Sequence, residues 1–209
     1  MLATSAIMPR MRSPTDLLRD PDIASDEALI TRYAAGDVAA FEQLYARHEL
    51  PTWRFLLRQS RHRATAEELH QETWLAVARE APRFRADGRF ATWLYAIARH
   101  RLIDRLRATR PQVSLDAATG EDGDPAVLSL RDEVSPTPPE SAEQAEQGQA
   151  ILVALSNLPA EQREAFLLQA EGGLSVEEIA TATGTGFETA KSRLRYARDR
   201  LKQMLQDYA

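Results

Sequence analysis

The sequence has no cysteine among its 209 residues, which excludes disulfide bonds, thiolate catalysis and cysteine-ligated zinc. It also lacks a run of about 18 apolar residues, the length that a membrane-spanning helix needs. The four histidines show no metal-ligand spacing on a common helix face, so we expect no metal and no other cofactor. The N-terminus lacks the apolar core of a secretory signal, and this predicts a cytoplasmic protein.

Charge is unevenly distributed along a chain whose formal net charge is −5. Residues 111–145 hold eight acidic residues against one arginine and include five prolines, a composition typical of linkers. Helical periodicity flanks this segment on both sides. The sequence therefore predicts an all-α protein, in which a flexible tail (1–24) precedes two small helical domains (25–110 and 146–209) that a flexible acidic linker (111–145) joins.

The C-terminal region carries the pattern of a helix-turn-helix. Ser175 and Glu178 have the spacing of a capping box, and Gly184 can supply the positive φ of a tight turn. Over 187–202, six lysines and arginines oppose two acids. The small and apolar residues of this segment follow helical spacing: Ala190, Leu194, Ala197 and Leu201. This pattern predicts a DNA-reading helix, although basic residues on a terminal helix can also form a solvated face.

Residues 83–110 combine eight arginines with interleaved aromatic side chains and two acids. Bases stack on aromatic rings while cations follow phosphates, so this composition favours contact with single-stranded nucleic acid. The spacing of Trp93 favours a core position over base stacking. For the arginines at 85, 89, 99 and 101 we expect nucleic acid as the partner.

Local signals divide the N-terminal region into helices. We expect Asp26 to cap the first helix and Asp37 the second. Pro51 suits the first turn of a third helix, and residues 65–68 have the pattern of a capping box that opens a fourth. On the residues alone, the outer carboxylate face of that fourth helix is a solvated surface.

Five stretches together resemble the extracytoplasmic-function (ECF) sigma factors of bacteria, the smallest promoter-recognition subunits of RNA polymerase. They are GDVAAFEQLYARH, AEELHQETWLAVAREAPRFR, FATWLYAIARHRLIDRLR, LPAEQREAFLLQAEGGLSVEEIA and ETAKSRLRYARDRL. The resemblance covers about 25–110 and 146–206. It implies a sigma domain 2, a helical bundle that holds the melted −10 strand, and a sigma domain 4, whose helix-turn-helix reads the −35 element as duplex.

The resemblance also assigns roles to the matched positions. Contacts with the −35 element would come from Thr189, Lys191, Ser192, Arg193, Arg195, Tyr196 and Arg198. Contacts with the −10 element would come from Phe84, Arg85, Asp87, Arg89, Phe90, Trp93, Arg99, His100 and Arg101. Docking on the coiled coil of the polymerase β′ subunit would use Glu68, Gln71, Glu72 and Leu75. The resemblance thus assigns a partner to the face that, on the residues alone, is a solvated surface. The sequence departs from the family's usual residue at His100, which leaves the promoter sequence open.

The resemblance implies three partners: core RNA polymerase, promoter DNA and an anti-sigma factor. The protein would contact the polymerase at its β′ coiled coil and β subunit, and the anti-sigma factor could hold the protein at the membrane. It implies a role in a stress response, no membrane insertion and no small-molecule substrate. The alternative is a stand-alone helix-turn-helix regulator that acts without core polymerase, although no heptad pattern offers a dimerisation surface. An enzyme such as a nucleic-acid hydrolase would need clustered carboxylates or a metal site. The sequence predicts neither, so we expect that the protein is not an enzyme.

Overall fold

The structure, a computed structural model, describes residues 24–85, 87–109 and 142–206. Within these residues it contains helices and no strand, which confirms the all-α prediction. The helices are α1 (Asp26–Ala34), α2 (Val38–Ser60), α3 (Arg63–Glu80), α4 (Phe90–Thr109), α5 (Ala142–Ser156), α6 (Ala160–Ala170), α7 (Val176–Thr183) and α8 (Phe187–Met204), with a 3₁₀ turn at Ala81–Arg83. We call 24–109 the N-terminal half and 142–206 the C-terminal half. Residues 1–23 of the predicted tail (1–24) and residues 111–141 of the predicted linker (111–145) lie outside the described residues.

Helix α1 begins with a different cap from the predicted one. Ser25 is the N-cap residue, and its hydroxyl accepts a hydrogen bond from the backbone N–H of Ala28 at 3.2 Å. Asp26 lies in the first turn, where its carboxylate contacts Arg47 at 3.0 Å and His48 at 2.7 Å. The prediction was wrong because serine and aspartate cap helices about equally well, and here contacts with α2 engage the aspartate.

Helix α2 runs without interruption from Val38 to Ser60, so the predicted helix start at Pro51 is wrong. Asp37 caps α2 as predicted, accepting a hydrogen bond from the backbone N–H of Ala40 at 3.3 Å. A proline inside a helix removes one backbone hydrogen bond. Burial offsets that loss, because residues on both sides of the proline reach the core: Leu44, Thr52, Phe55 and Leu56.

Helix α3 begins at Arg63, before the capping box that the sequence predicted at 65–68. Thr65 therefore lies inside the helix, and the preceding residue, His62, makes no side-chain cap. Arg63 pairs with Glu67 at 2.9 Å along the added turn. The face that packs inward comprises Leu69, Thr73, Trp74 and Val77.

The C-terminal half contains the predicted helix-turn-helix. The Ser175 hydroxyl accepts a hydrogen bond from the backbone N–H of Glu178 at 3.2 Å, and the Glu178 carboxylate accepts one from the backbone N–H of Ser175 at 2.8 Å. Gly184 ends α7 with a φ of 65°, which glycine adopts without strain. The predicted stripe of α8 is buried against α6 and α7. Helix α5 starts at Ala142, so it includes the last four residues of the segment predicted as a linker.

The two halves pack against each other through one apolar cluster. Phe55 and Tyr95 of the N-terminal half meet edge to face, with 5.2 Å between ring centroids. They belong to the same buried cluster as Leu168 and Leu174 of the C-terminal half. A second cluster, which includes Leu29, lies within the N-terminal half. As a result, α4 lies directly against α7.

Candidate nucleic-acid interface

Helix α8 presents an outward face with the side chains that read DNA. Thr189, Lys191, Arg195 and Tyr196 are exposed, and the half-buried Ser192 donates its hydroxyl to the carbonyl of Thr189 at 2.9 Å. The Arg195 guanidinium lies 4.8 Å from the centroid of the Tyr196 ring. This face therefore offers cations, hydroxyl groups and a ring, which suit phosphates and base edges.

Phe187 also belongs to this face, although the sequence analysis did not select it. It is the first residue of α8, and 41% of its surface is exposed. The Lys191 ammonium lies 5.7 Å from the centroid of its ring. The N-terminal residues of a recognition helix are the ones that contact base edges, so its position directly after the turn was the available signal.

Two of the predicted −35 residues engage α6. Arg193 pairs with Glu161 at 2.8 Å, and its side chain is 21% exposed. Arg198 is exposed and donates a hydrogen bond to the side-chain oxygen of Gln169. Both arginines thus lie at the flank of α8 that borders α6, beside the outward face.

A cluster of three rings, Phe84, Phe90 and Trp93, lies where the loop after the 3₁₀ turn enters α4. The centroid of Trp93 is 5.2 Å from that of Phe84 and 6.0 Å from that of Phe90. Phe90 is completely buried, so its ring supports the loop and a direct base contact is inconsistent with this packing. Phe84 and Trp93 are half-buried and pack on the core of the N-terminal half, so each keeps an exposed portion beside the loop.

Arg85 and Asp87 lie on the exposed loop next to these rings. They pair at 3.0 Å, with 84% and 69% of their side chains exposed. Such an exposed pair contributes little free energy, so a phosphate can compete for the arginine. Farther along α4, His100 is exposed and Arg101 is half-buried.

Another face of α4 is occupied by carboxylates of the C-terminal half. Arg89 pairs with Glu178 at 3.1 Å, and the Thr92 hydroxyl donates to the same carboxylate at 3.1 Å. Although burial acts to raise the pKa of Glu178, its hydrogen bonds and the charge of Arg89 outweigh that effect and lower the pKa. Arg99 pairs with Glu164 at 3.0 Å. Two arginines that we expected to contact nucleic acid are therefore engaged within the protein.

Burial raises the pKa of two carboxylates of the C-terminal half. It raises the pKa of Glu164, and the charge of Arg99 offsets the rise only in part. It likewise raises the pKa of Glu171, which pairs with Arg58 of α2. In both pairs the ionised carboxylate therefore depends on its arginine.

The four residues predicted to dock on polymerase lie together on the outer face of α3. Glu68, Gln71, Glu72 and Leu75 are all exposed, and Leu75 keeps 48% of its surface accessible. Residues three or four positions apart are neighbours on a helix surface. Glu68 pairs with Arg105 of α4 at 2.8 Å. The face combines acids with an exposed leucine, which suits a partner that is both basic and apolar.

Comparisons with known proteins agree on one family. The Sigma-70 region 2 model matches residues 44–112, and the Sigma-70, region 4 model matches residues 148–201. The ECF RNA polymerase sigma factor SigM of Mycobacterium tuberculosis is 32% identical over 183 residues, which cover 87% of this chain and 85% of SigM.

Two solved structures share the fold. CnrH, in complex with the cytosolic domain of CnrY, has a TM-score of 0.60 at 24% identity, over 88% of this chain and 99% of that one. The sigma factor RpoE of Bartonella quintana, in complex with the anti-sigma factor NepR, has a TM-score of 0.58 at 24% identity, over 79% and 96%.

The fold and the outward face of α8 define a helix-turn-helix DNA-binding protein. Together with the two region matches and the relatives, they lead to a narrower assignment. The chain belongs to the family of ECF RNA polymerase sigma factors. It binds core RNA polymerase and promoter DNA and directs transcription initiation. In the part of the chain that the structure describes, no helix is both long and apolar enough to span a membrane.

Proposed function

We propose that the two halves of the protein read the two elements of a promoter. Helix α8 reads the −35 element as duplex, the rings beside α4 hold a melted base of the −10 element, and α3 docks on the β′ coiled coil of core polymerase. The observation that carries the proposal is α8, which exposes cations and hydroxyl groups on one face and buries the small and apolar residues of the opposite face.

At the −35 element, Lys191 and Arg195 supply the cations of the outward face. Lysine or arginine to guanine is the commonest specific contact in the major groove, so we expect guanine in the element. Thr189, Ser192 and Tyr196 add hydroxyl groups for bases or phosphates. The remaining two predicted contacts, Arg193 and Arg198, would reach the duplex from the α6 side of the helix.

At the −10 element, a base drawn out of the duplex would stack on the exposed portions of Phe84 and Trp93. Extruding a base costs a few kcal/mol, and stacking on an aromatic side chain is worth about 1–3 kcal/mol per base. The rings therefore offset much of the cost. Arg85, on the adjacent loop, is placed for the neighbouring phosphate, and the strand would continue along α4 past Arg89, Arg99, His100 and Arg101.

Core polymerase would dock on α3. The exposed side chain of Leu75 provides the apolar contact, while Glu68, Gln71 and Glu72 accept hydrogen bonds from basic residues of the β′ coiled coil. The C-terminal half would contact the β subunit and hold α8 over the upstream DNA. In this arrangement the protein supplies no catalytic residue and no cofactor, because RNA synthesis belongs to the core enzyme.

An anti-sigma factor would regulate the protein, as the structurally similar RpoE was solved with one. We place the protein in the cytoplasm, where promoter DNA and core polymerase are found. Attachment to the membrane would come only through that partner.

In vitro transcription tests the proposal directly. Host core polymerase transcribes fragmented host genomic DNA with and without the protein, and the new RNA 5′ ends are mapped. We expect new start sites that share paired −35 and −10 elements. If no new starts arise and the protein also fails to bind core polymerase, the proposal is refuted. The stand-alone regulator would then be the better account, and its sites on duplex DNA would be the next question.

A further inference from the structure

We infer that Glu188 determines base specificity at the −35 element by accepting a hydrogen bond from the amino group of a cytosine. The inference rests on the proposed reading of that element by α8, and it adds an acid to the cations and hydroxyl groups already placed there. The cytosine would lie within one base step of the guanine that Lys191 contacts.

Glu188 lies at the centre of the outward face of α8, in the first turn of the helix. It shares one stripe of the helix surface with Lys191, Ser192 and Arg195, because residues three or four positions apart are neighbours on a helix. It is two residues from the buried Ala190, so the two side chains lie roughly 200° apart around the helix axis. The N-terminal residues of a recognition helix contact base edges, so the carboxylate of Glu188 would point at bases.

The ion pair between Glu188 and Lys191 is too weak to hold the carboxylate in place. The two charged groups are 3.8 Å apart, and 81% and 60% of the two side chains are exposed. Such an exposed pair contributes little free energy. Lys191 also lies 5.7 Å from the centroid of the Phe187 ring, so it keeps a contact when the carboxylate turns away. Glu188 can therefore exchange Lys191 for a base.

Among the groups in the major groove, the cytosine amino group suits a carboxylate best. Guanine presents two acceptors and thymine presents one acceptor, and both repel a carboxylate, as phosphates do. Adenine has an amino donor, but its N7 acceptor lies beside that donor and favours an amide side chain. Cytosine N4 donates, and glutamate is one of its usual partners. The acid of this face therefore selects cytosine.

The spacing of the two charges also fits this assignment. The 3.8 Å between the Lys191 ammonium and the Glu188 carboxylate is close to the rise of about 3.4 Å per base along one strand. Lysine seeks the acceptors of guanine, and glutamate seeks the donor of cytosine. An acid and a base held this far apart thus match a guanine and a cytosine within one base step of each other.

A role in helix stability has to be separated from base reading, because the helix dipole favours an acid in the first turn. Loss of an acid that only stabilises α8 would weaken binding to every duplex. Loss of an acid that only repels phosphates would strengthen binding to every duplex. Loss of a cytosine contact would weaken binding to the cytosine site and strengthen binding to other sites. The three roles therefore differ in sign.

Transcription of a randomised promoter library tests the inference with the holoenzyme. Host core polymerase and the full-length protein transcribe templates in which the −35 element is randomised, and sequencing of the transcripts gives the base preference at each position. Glu188→Ala should lose a roughly ten-fold preference for cytosine at one position, a typical size for a specific base contact, and keep its preferences elsewhere. Glu188→Gln should move that preference to adenine, which glutamine reads.

Asp199→Ala is the matched control. Asp199 is exposed and lies on the same face of α8 about three turns after Glu188, so the variant loses the same charge away from the N-terminal turn. Its base preferences should equal those of the unsubstituted protein.

Binding of the holoenzyme to two duplexes gives a second readout. The duplexes differ only at the selected position, where one has cytosine and the other thymine. Glu188→Ala should bind the cytosine duplex about ten-fold more weakly and the thymine duplex more tightly, whereas Asp199→Ala should change both affinities by the same factor.

Three results would overturn the inference: unchanged base preferences in Glu188→Ala, a loss of preference at every position together, or a shift of both affinities in the same direction. Each leaves the proposed function intact, because the unsubstituted holoenzyme still starts at paired promoter elements. If the unsubstituted holoenzyme gives no specific transcripts, the proposed function itself is refuted.

Discussion

Reversal of one charge, Glu72→Lys, tests whether α3 is the docking surface for polymerase. Glu72 is exposed, while its neighbour Thr73 is completely buried, so the substitution does not disturb the core. Surface changes of this kind alter the free energy of unfolding by less than about 0.5 kcal/mol. The new lysine would also lie one turn after Glu68, a spacing at which opposite charges attract. The variant should therefore fold normally.

The expected loss is in binding to core polymerase. Two unit charges about 4 Å apart interact by about 1 kcal/mol in bulk water and about 4 kcal/mol near a protein surface. Replacing an attraction by a repulsion changes that energy by up to twice as much, and salt screens part of it. We therefore expect a loss of about 3 kcal/mol, which is roughly a hundred-fold weaker Kd.

Titration of dye-labelled protein with core polymerase measures this Kd. The control is Glu42→Lys, which makes the same change of charge at an exposed position of α2. Glu72→Lys should bind roughly a hundred-fold more weakly and give no promoter-specific transcripts, while the control should match the unsubstituted protein. Equal affinity of the two variants would mean that the outer face of α3 does not dock on polymerase, and the assignment of Glu68, Gln71, Glu72 and Leu75 would be withdrawn.

Three further substitutions test the fold and the duplex contact. Arg195→Ala should weaken binding to −35 duplex about ten-fold and reduce the slope of log affinity against log salt concentration by about one. Filter binding at several salt concentrations would measure both changes, and an unchanged slope would remove Arg195 from the interface. Burial acts to raise the pKa of Asp26, but His48 and Arg47 outweigh it and hold the pKa below its usual range. The stabilisation by the ionised carboxylate is therefore present at neutral pH and is lost as the pH falls through that lowered pKa. Asp26→Asn should therefore reduce the free energy of unfolding in urea by about 1 kcal/mol at neutral pH and by much less in acid, and an equal reduction at both pH values would contradict the role of the charge. In Gly184→Ala the new Cβ atom would meet no atom within 4 Å, but the alanine must adopt a φ of 65°. The substitution should therefore lower the free energy of unfolding by about 1–2 kcal/mol, measured by thermal unfolding, and Gly184→Asn should lower it by less.

The sequence predicted correctly those features of the fold that neighbouring residues decide. The capping box of Ser175 and Glu178 and the turn at Gly184 each depend on a few consecutive residues, and both are present. The helix start at Pro51 was wrong, because burial of the flanking residues outweighs one lost hydrogen bond. The cap at Asp26 was wrong for a related reason, since contacts with α2 engage that carboxylate.

For the site, the sequence could select residue types but could not decide their partners. Arg85, Arg89 and Arg99 belong to the same arginine-rich stretch, and composition gives no ground for treating them differently. In the structure Arg85 lies on an exposed loop, whereas the other two pair with carboxylates that follow 89 and 65 residues later. Such pairings follow from the packing of the two halves, which no local pattern specifies.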